Sequence, residues 1–226
     1  MTERFPQETG RSYAYRMIRE NIISTELAPG SLVSEKELAQ QLNLSRTPVR
    51  ESLIDLAQVG IVEVFPQRGS RISYINCEMV EEAQFARFAL EHAACHRLCS
   101  EETLPDLSVL AENINAQQQA LAEGDNAAFL KLDDEFHQSL FQLAGLSHIF
   151  QLISSFAIHF DRMRSLSLGV ADVNKLVADH IELADCLAAQ DEVSINQVLE
   201  RHLNRYKIDE EAIRRAHPTF FPEGDR

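Results

Sequence analysis

The sequence predicts a mainly α protein in two parts: three helices and a β-hairpin over residues 1–75, then an all-α antiparallel bundle over residues 76–226. Three observations carry that prediction. Apolar residues recur at helical spacing along most of the chain. The β-branched run Ile61-Val62-Glu63-Val64-Phe65 is followed by a Gly-containing turn and by Ser70 to Ile75, a hairpin pattern. Charge divides at the same place: the first part carries 9 Lys/Arg and 9 Asp/Glu, the second 12 and 26, so the net charge of −14 belongs to the second part alone.

The elements follow in order. Arg11 to Leu27 carries an apolar stripe of Tyr15, Ile18, Ile22 and Ile23 and stops at Ala28-Pro29-Gly30. Ser34, with Glu37 three residues on, has the spacing of a capping box and starts a short helix with Leu38, Ala39 and Leu42, ending near Asn43. Ser45 caps a helix over Arg46 to Gln58, with Pro48 tolerated in its first turn and Val49, Leu53, Leu56 and Ala57 as the buried stripe. Gly60 closes it. The hairpin turn falls at Pro66-Gln67-Arg68-Gly69. From Cys77 to about His217 only helical periodicity remains. Breaks near residues 100–103, 123–125, 145–147, 169–171 and 190–191 divide it into about six helices, and the tail from His217-Pro218 is expected to fray.

Composition excludes several classes. A hydrophobic share of 45% in 226 residues is that of a globular protein with a core. No run of about 18 apolar residues is present, so no membrane span is expected. Met1 to Gly10 is polar and lacks the apolar stretch of a secretory signal, which predicts a cytoplasmic protein. Cys77, Cys95, Cys99 and Cys186 form no C-x-x-C pair, so a zinc ribbon or thioredoxin-like motif is not indicated and reduced thiols are expected.

Two helices joined by Asn43-Leu44 and followed by a hairpin fit a winged helix-turn-helix with a two-stranded wing. The second helix of such a unit enters the major groove N-terminus first. Ser45 and Thr47 offer hydroxyls to phosphate there, and Arg46 and Arg50, four apart on one face, suit bidentate guanine contacts. Arg68-Gly69 at the hairpin tip can reach the flanking backbone or minor groove. Pro29-Gly30, Ser34-Glu35-Lys36-Glu37-Leu38-Ala39, Ser45-Arg46-Thr47-Pro48-Val49-Arg50-Glu51 and Arg68-Gly69-Ser70 closely resemble the N-terminal domain of GntR-type regulators. That resemblance implies DNA contacts from Lys36, Ser45, Arg46, Thr47, Arg50, Arg68 and Gly69, and a homodimer on a palindromic operator.

In the second part, Asp133 and His137 lie four apart and project from one helix face, while His180 and His202 each lie mid-helix. Three helices could thus aim three imidazoles and a carboxylate into the bundle, a set suited to Zn²⁺, Ni²⁺ or a similar ion. His92 and His96, beside Cys95 and Cys99, form a competing pair. The Asp-x-x-x-His motif, the two later histidines 22 residues apart, Arg87-x-x-x-Glu91 and Asp161-Arg162-Met163-Arg164 resemble the FadR-type C-terminal domain called FCD. The resemblance implies that Asp133, His137, His180 and His202 hold a divalent metal ion. Four protein ligands leave an octahedral ion with open positions, which a small carboxylate or sugar-acid effector can fill with its own oxygens while Arg164 or Arg87 clamps its second end. His92, His96, His148, His159 and His217 match no motif and are expected in structural or surface roles. A purely structural metal, a direct metal sensor, and a metal-dependent hydrolase using Asp134 and Glu135 are the alternatives. The DNA-reading unit in the same chain weighs against an enzyme. Repression is the expected mode, with the linker around Ser73 to Asn76 carrying the signal between the parts.

Overall fold

The computed structural model describes residues 4–65, 68–170 and 172–222. Helix α1 (Gly10–Ile23) is followed by strand β1 (Leu32–Val33), α2 (Glu35–Gln41), α3 (Arg46–Gln58), β2 (Val62–Phe65) and β3 (Gly69–Ile72). The sheet is antiparallel in the order β1-β3-β2, with Arg71 paired to both Leu32 and Glu63. The two-stranded wing, β2 and β3, is present and is joined by a third strand: β1 is two residues long, too short to leave a periodic signal. Pro66 and Gln67 of the expected turn lie outside the described residues.

Other expectations need correction. Helix α1 ends at Ile23 instead of Leu27, because Ser24 caps it and Thr25 turns to φ +62°. Ser34 and Ser45 occupy the N-cap positions of α2 and α3, but neither side chain makes the capping hydrogen bond, so the expected capping box is not formed. Gly30 is required where it stands: its φ is +82° and a Cβ would sit 2.6 Å from the Tyr74 ring.

The rest is helical: α4 (Cys77–Cys99), α5 (Ser108–Glu123), α6 (Asn126–Leu143), α7 (Ser147–Phe156), α8 (Ile158–Ser167), α9 (Asn174–Ala188), α10 (Glu192–Leu203) and α11 (Arg205–Ala216). Among the described residues eight helices stand where about six were expected, because the chain also breaks at Ala157 and at Asn204, where neither Gly nor Pro marks the turn. The tail does not fray at His217. It forms a short 3₁₀ turn, Pro218–Phe220, the Phe220 carbonyl accepts from the Ile75 N–H at 2.9 Å, and Phe221 is buried.

Two hydrophobic cores result. One lies in the winged part, around Ile18, Val49, Leu53, Leu56 and Ile72; the other fills the bundle, around Phe129, Phe136, Phe141 and Leu199. Helix α8 belongs to both, since its Ile158 packs in the winged core while Phe160 and Met163 pack in the bundle. The connection is also polar. The fully buried Arg162 donates to the Ser73 carbonyl at 2.8 Å and the Tyr74 carbonyl at 3.3 Å, and its Nη2 lies 2.6 Å from His159 Nδ1. The Asn76 N–H donates to the same nitrogen at 3.2 Å.

Candidate metal centre and DNA-facing groove

Asp133 and His137 from α6, His180 from α9 and His202 from α10 converge in the bundle, all buried, with one donor atom from each lying within 4.8 Å of the others. The Nε2 atoms of His137 and His180 stand 3.1 and 3.3 Å from His202 Nε2, and His180 Nε2 is 3.5 Å from Asp133 Oδ1. Phe136, one residue from His137, stacks on the His180 ring at 4.1 Å between centroids and fixes its plane.

The outer hydrogen bonds decide what these nitrogens present. His137 Nδ1 lies 2.8 Å from Glu91 Oε2. Burial opposes the Glu91 charge, but His137 and Arg87 outweigh it and hold the carboxyl down at about 2. An ionised Glu91 only accepts, so His137 Nδ1 carries the proton and Nε2 a lone pair. His180 Nδ1 lies 2.8 Å from Gln117 Oε1. That amide is oriented in turn: Gln117 donates to Asn113 at 2.7 Å, and Asn113 donates to the Leu132 carbonyl at 3.0 Å. His180 Nε2 is thus also a lone pair. His202 Nδ1 faces Asp179 at 3.6 Å and has no closer partner among the described residues. Burial lowers the His137 and His180 pKa values, keeping both rings neutral. Burial also works against the Asp133 charge, yet the Arg164 guanidinium holds its carboxyl well below the ordinary range. Inward lone pairs beside a carboxylate, in a buried space, form a donor set that a divalent cation fits.

Glu91, Gln117 and Asp179 are outer partners that the sequence does not reveal. Only Glu91 left a trace, in the Arg87-x-x-x-Glu91 pattern. The competing pair does not assemble: His96 is exposed and meets Glu192 at 3.6 Å, and His92 stacks on Phe88. His148 is exposed and His217 stacks on Phe220, whereas His159 is buried in the linker contact.

Arg164 borders the cluster and a small cavity of about 30 Å³ lined also by Phe129, Asp133, Leu176 and His202. Its guanidinium is held by Asp133, by Asp134 at 2.9 Å and by Asp161 at 3.1 Å. Arg87 lies behind His137, 2.6 Å from Glu91, and its buried Nη2 has no hydrogen-bond partner among the described residues.

In the winged part, Lys36, Ser45, Arg46, Thr47, Arg50 and Arg68 are all exposed. Arg46, Arg50, Arg68 and Gly69 line one groove of about 670 Å³ between the start of α3 and the wing. Gly69 opens β3 with φ +92°, and a Cβ there would come 3.1 Å from the Val33 carbonyl. Its glycine is demanded by the sheet.

Residues 11–72 match the bacterial regulatory proteins of the gntR family, and residues 82–205 match the FCD domain. The chain is 31% identical over 223 residues to the HTH-type transcriptional repressor RspR of Escherichia coli K12, spanning 98% of each. It is 36% identical over 214 residues to an HTH-type transcriptional regulator in an unstable DNA locus of Streptomyces ambofaciens, spanning 94% of this chain and 90% of that one. The solved structure of E. coli McbR/YncC shares the fold, with a TM-score of 0.77 over 92% of this chain and 99% of that one at 20% identity. The chain belongs to the GntR family of bacterial regulatory proteins, carries an FCD domain behind its DNA-binding unit, and is a transcriptional regulator, not an enzyme.

Proposed function

We propose that this regulator is a cytoplasmic homodimeric repressor that binds a palindromic operator through residues 1–75. Its operator affinity is controlled from residues 76–226 by a divalent ion, Zn²⁺ or Ni²⁺, and by a small carboxylate or sugar-acid effector. Asp133, His137, His180 and His202 hold the ion. The observation that carries this reading is the inward lone pairs of His137 and His180 beside the Asp133 carboxylate, each fixed by an outer hydrogen bond. An ion held by four protein ligands offers remaining positions to the oxygens of a small acid. Arg164 at the rim, or Arg87 behind His137, meets the effector's other end. On the DNA side, Arg46 and Arg50 read base edges, while Lys36, Ser45, Thr47, Arg68 and Gly69 position the backbone.

The test is metal stripping and reloading. Stripped protein titrated calorimetrically with Zn²⁺ or Ni²⁺ takes up one equivalent per chain, and reloaded protein alone shows thermal shifts with a panel of small acids. Absence of a stoichiometric uptake sinks the metal assignment. A second reading, direct metal sensing with no organic effector, draws support from one observation: Arg164 is already bonded to three carboxylates and Arg87 to Glu91. Operator affinity that follows metal occupancy with no added acid selects that reading.

A further inference from the structure

Glu35 opens α2 and lines the groove that holds Arg46 and Arg50. Its Oε2 lies 3.2 Å from Arg46 Nη2, and its Oε1 lies 3.8 Å from Arg50 Nε. One carboxylate therefore spans two guanidiniums that stand a turn apart on α3. Both arginine side chains are largely exposed, at 69% and 71%, and Glu35 is the carboxylate that pairs with them among the described residues. Exposed ion pairs contribute little to stability, so folding gives no reason for this one. Its position is also unfavourable for simple DNA affinity, because a fixed negative charge in the groove repels phosphate within a Debye length.

We infer that Glu35 is a specificity-determining positioning residue of the DNA interface. By bridging Arg46 and Arg50 it holds two long side chains in one geometry before DNA arrives. A bidentate guanine contact needs a guanidinium presented in a set plane, whereas a phosphate accepts an arginine from many directions. Freed arginines, without the neighbouring carboxylate, clamp phosphate on any sequence. Glu35 thus trades non-specific affinity for discrimination. The inference rests on the reading that Arg46 and Arg50 face DNA.

Glu37 supplies the control. It lines the same groove and ion-pairs with neither arginine among the described residues. The probe is a duplex selected from a random-sequence pool by the wild-type protein, compared with a scrambled duplex of equal composition. Affinities for both are measured for the wild type, Glu35→Gln, Glu35→Ala, Glu37→Gln and Arg46→Ala at about 50 and 200 mM salt. Both Glu35 variants are expected to bind the scrambled duplex about 3–10-fold more tightly, with a steeper salt dependence. Their ratio of selected to scrambled affinity falls about 10-fold or more, while Glu37→Gln keeps the ratio. Melting of each variant confirms that Glu35→Gln, the near-isosteric change, is folded. An unchanged ratio in the Glu35 variants overturns the proposal. So does an equal loss in Glu37→Gln, which would make it a matter of charge alone. A loss confined to the selected duplex, with scrambled binding unchanged, would make Glu35 a direct base contact and also overturns it. If Arg46→Ala too keeps the ratio, the failure lies in the DNA-facing reading itself.

Discussion

Arg19 on α1 and Asp161 on α8 form an ion pair at 3.0 Å that joins the winged part to the helix bordering the buried His/Asp cluster. The other oxygen of Asp161 meets Arg164, and Arg164 bonds Asp133. Burial and Asp134 push the Asp161 pKa up, so its charge depends on these two arginines. Arg19→Ala is expected to leave metal stoichiometry and basal operator binding intact and to weaken the response of DNA affinity to metal or effector. The expected loss is about 0.5–2 kcal/mol out of a coupling of about 1–3 kcal/mol. Operator titrations with stripped and loaded protein measure it, and an undiminished response removes this pair from the route.

His180→Ala and His202→Ala should each lose the bound ion, whereas His92→Ala and His96→Ala should keep it. Elemental analysis of the four purified variants decides. Because burial lowers the His137 and His180 pKa values, proton competition at these two ligands sets in only below the ordinary imidazole value of about 6.5. Metal affinity measured across pH should fall on the acid side of that value and stay level above it.

Arg46→Ala and Arg50→Ala should each abolish specific operator binding without lowering thermal stability, since both side chains are exposed. A bidentate guanine contact carries about 1–3 kcal/mol of discrimination, and a dimer loses it in both half-sites. Anisotropy with a selected duplex reads the effect; operator binding retained by both variants would refute their role.

His159 gives the folded protein an acid-sensitive joint. Burial, reinforced by the adjacent Arg162 charge, lowers its pKa to about 3. A folded-state pKa below the unfolded value means that protonation favours unfolding. The contribution is therefore complete above about pH 6.5 and declines as pH falls from there toward 3. His159→Asn, whose amide oxygen can still accept from Arg162, should flatten the stability-versus-pH curve over that window by about one proton per chain, or about 1.4 kcal/mol per pH unit. Urea melts at several pH values supply the slopes, and a slope equal to wild type would acquit His159.

Two-fold operator recognition requires two chains. Light scattering should report twice the chain mass of 25.6 kDa, with and without DNA. A strict monomer in both conditions would contradict the palindrome reading.

The sequence made some elements legible and hid others for physical reasons. Helix α3 was readable to the residue, because Ser45, Pro48 and Gly60 punctuate it. The Ala157 and Asn204 breaks were not, since the backbone turns there without a Gly or Pro to announce it. The four residues of the buried cluster, Asp133, His137, His180 and His202, could be singled out because an i,i+4 pair and two mid-helix histidines on apolar stripes are unusual. Gln117 was missed because nothing local distinguishes a buried glutamine that orients an imidazole 63 residues away. Glu35 was visible only as part of a motif, and its span across two arginines required the packing of α2 against α3.

Ile158 has a consequence for engineering. It sits on α8 yet completes the winged core, so the DNA reader is not a self-contained cartridge. Cut away from its sensor, it would present an apolar socket to water, and chains bearing that socket would tend to stick together. A hybrid that couples this reader to a foreign sensor must therefore bring its own plug: an aliphatic side chain at the matching turn of the incoming helix, with a cation nearby to grip the Ser73 and Tyr74 carbonyls.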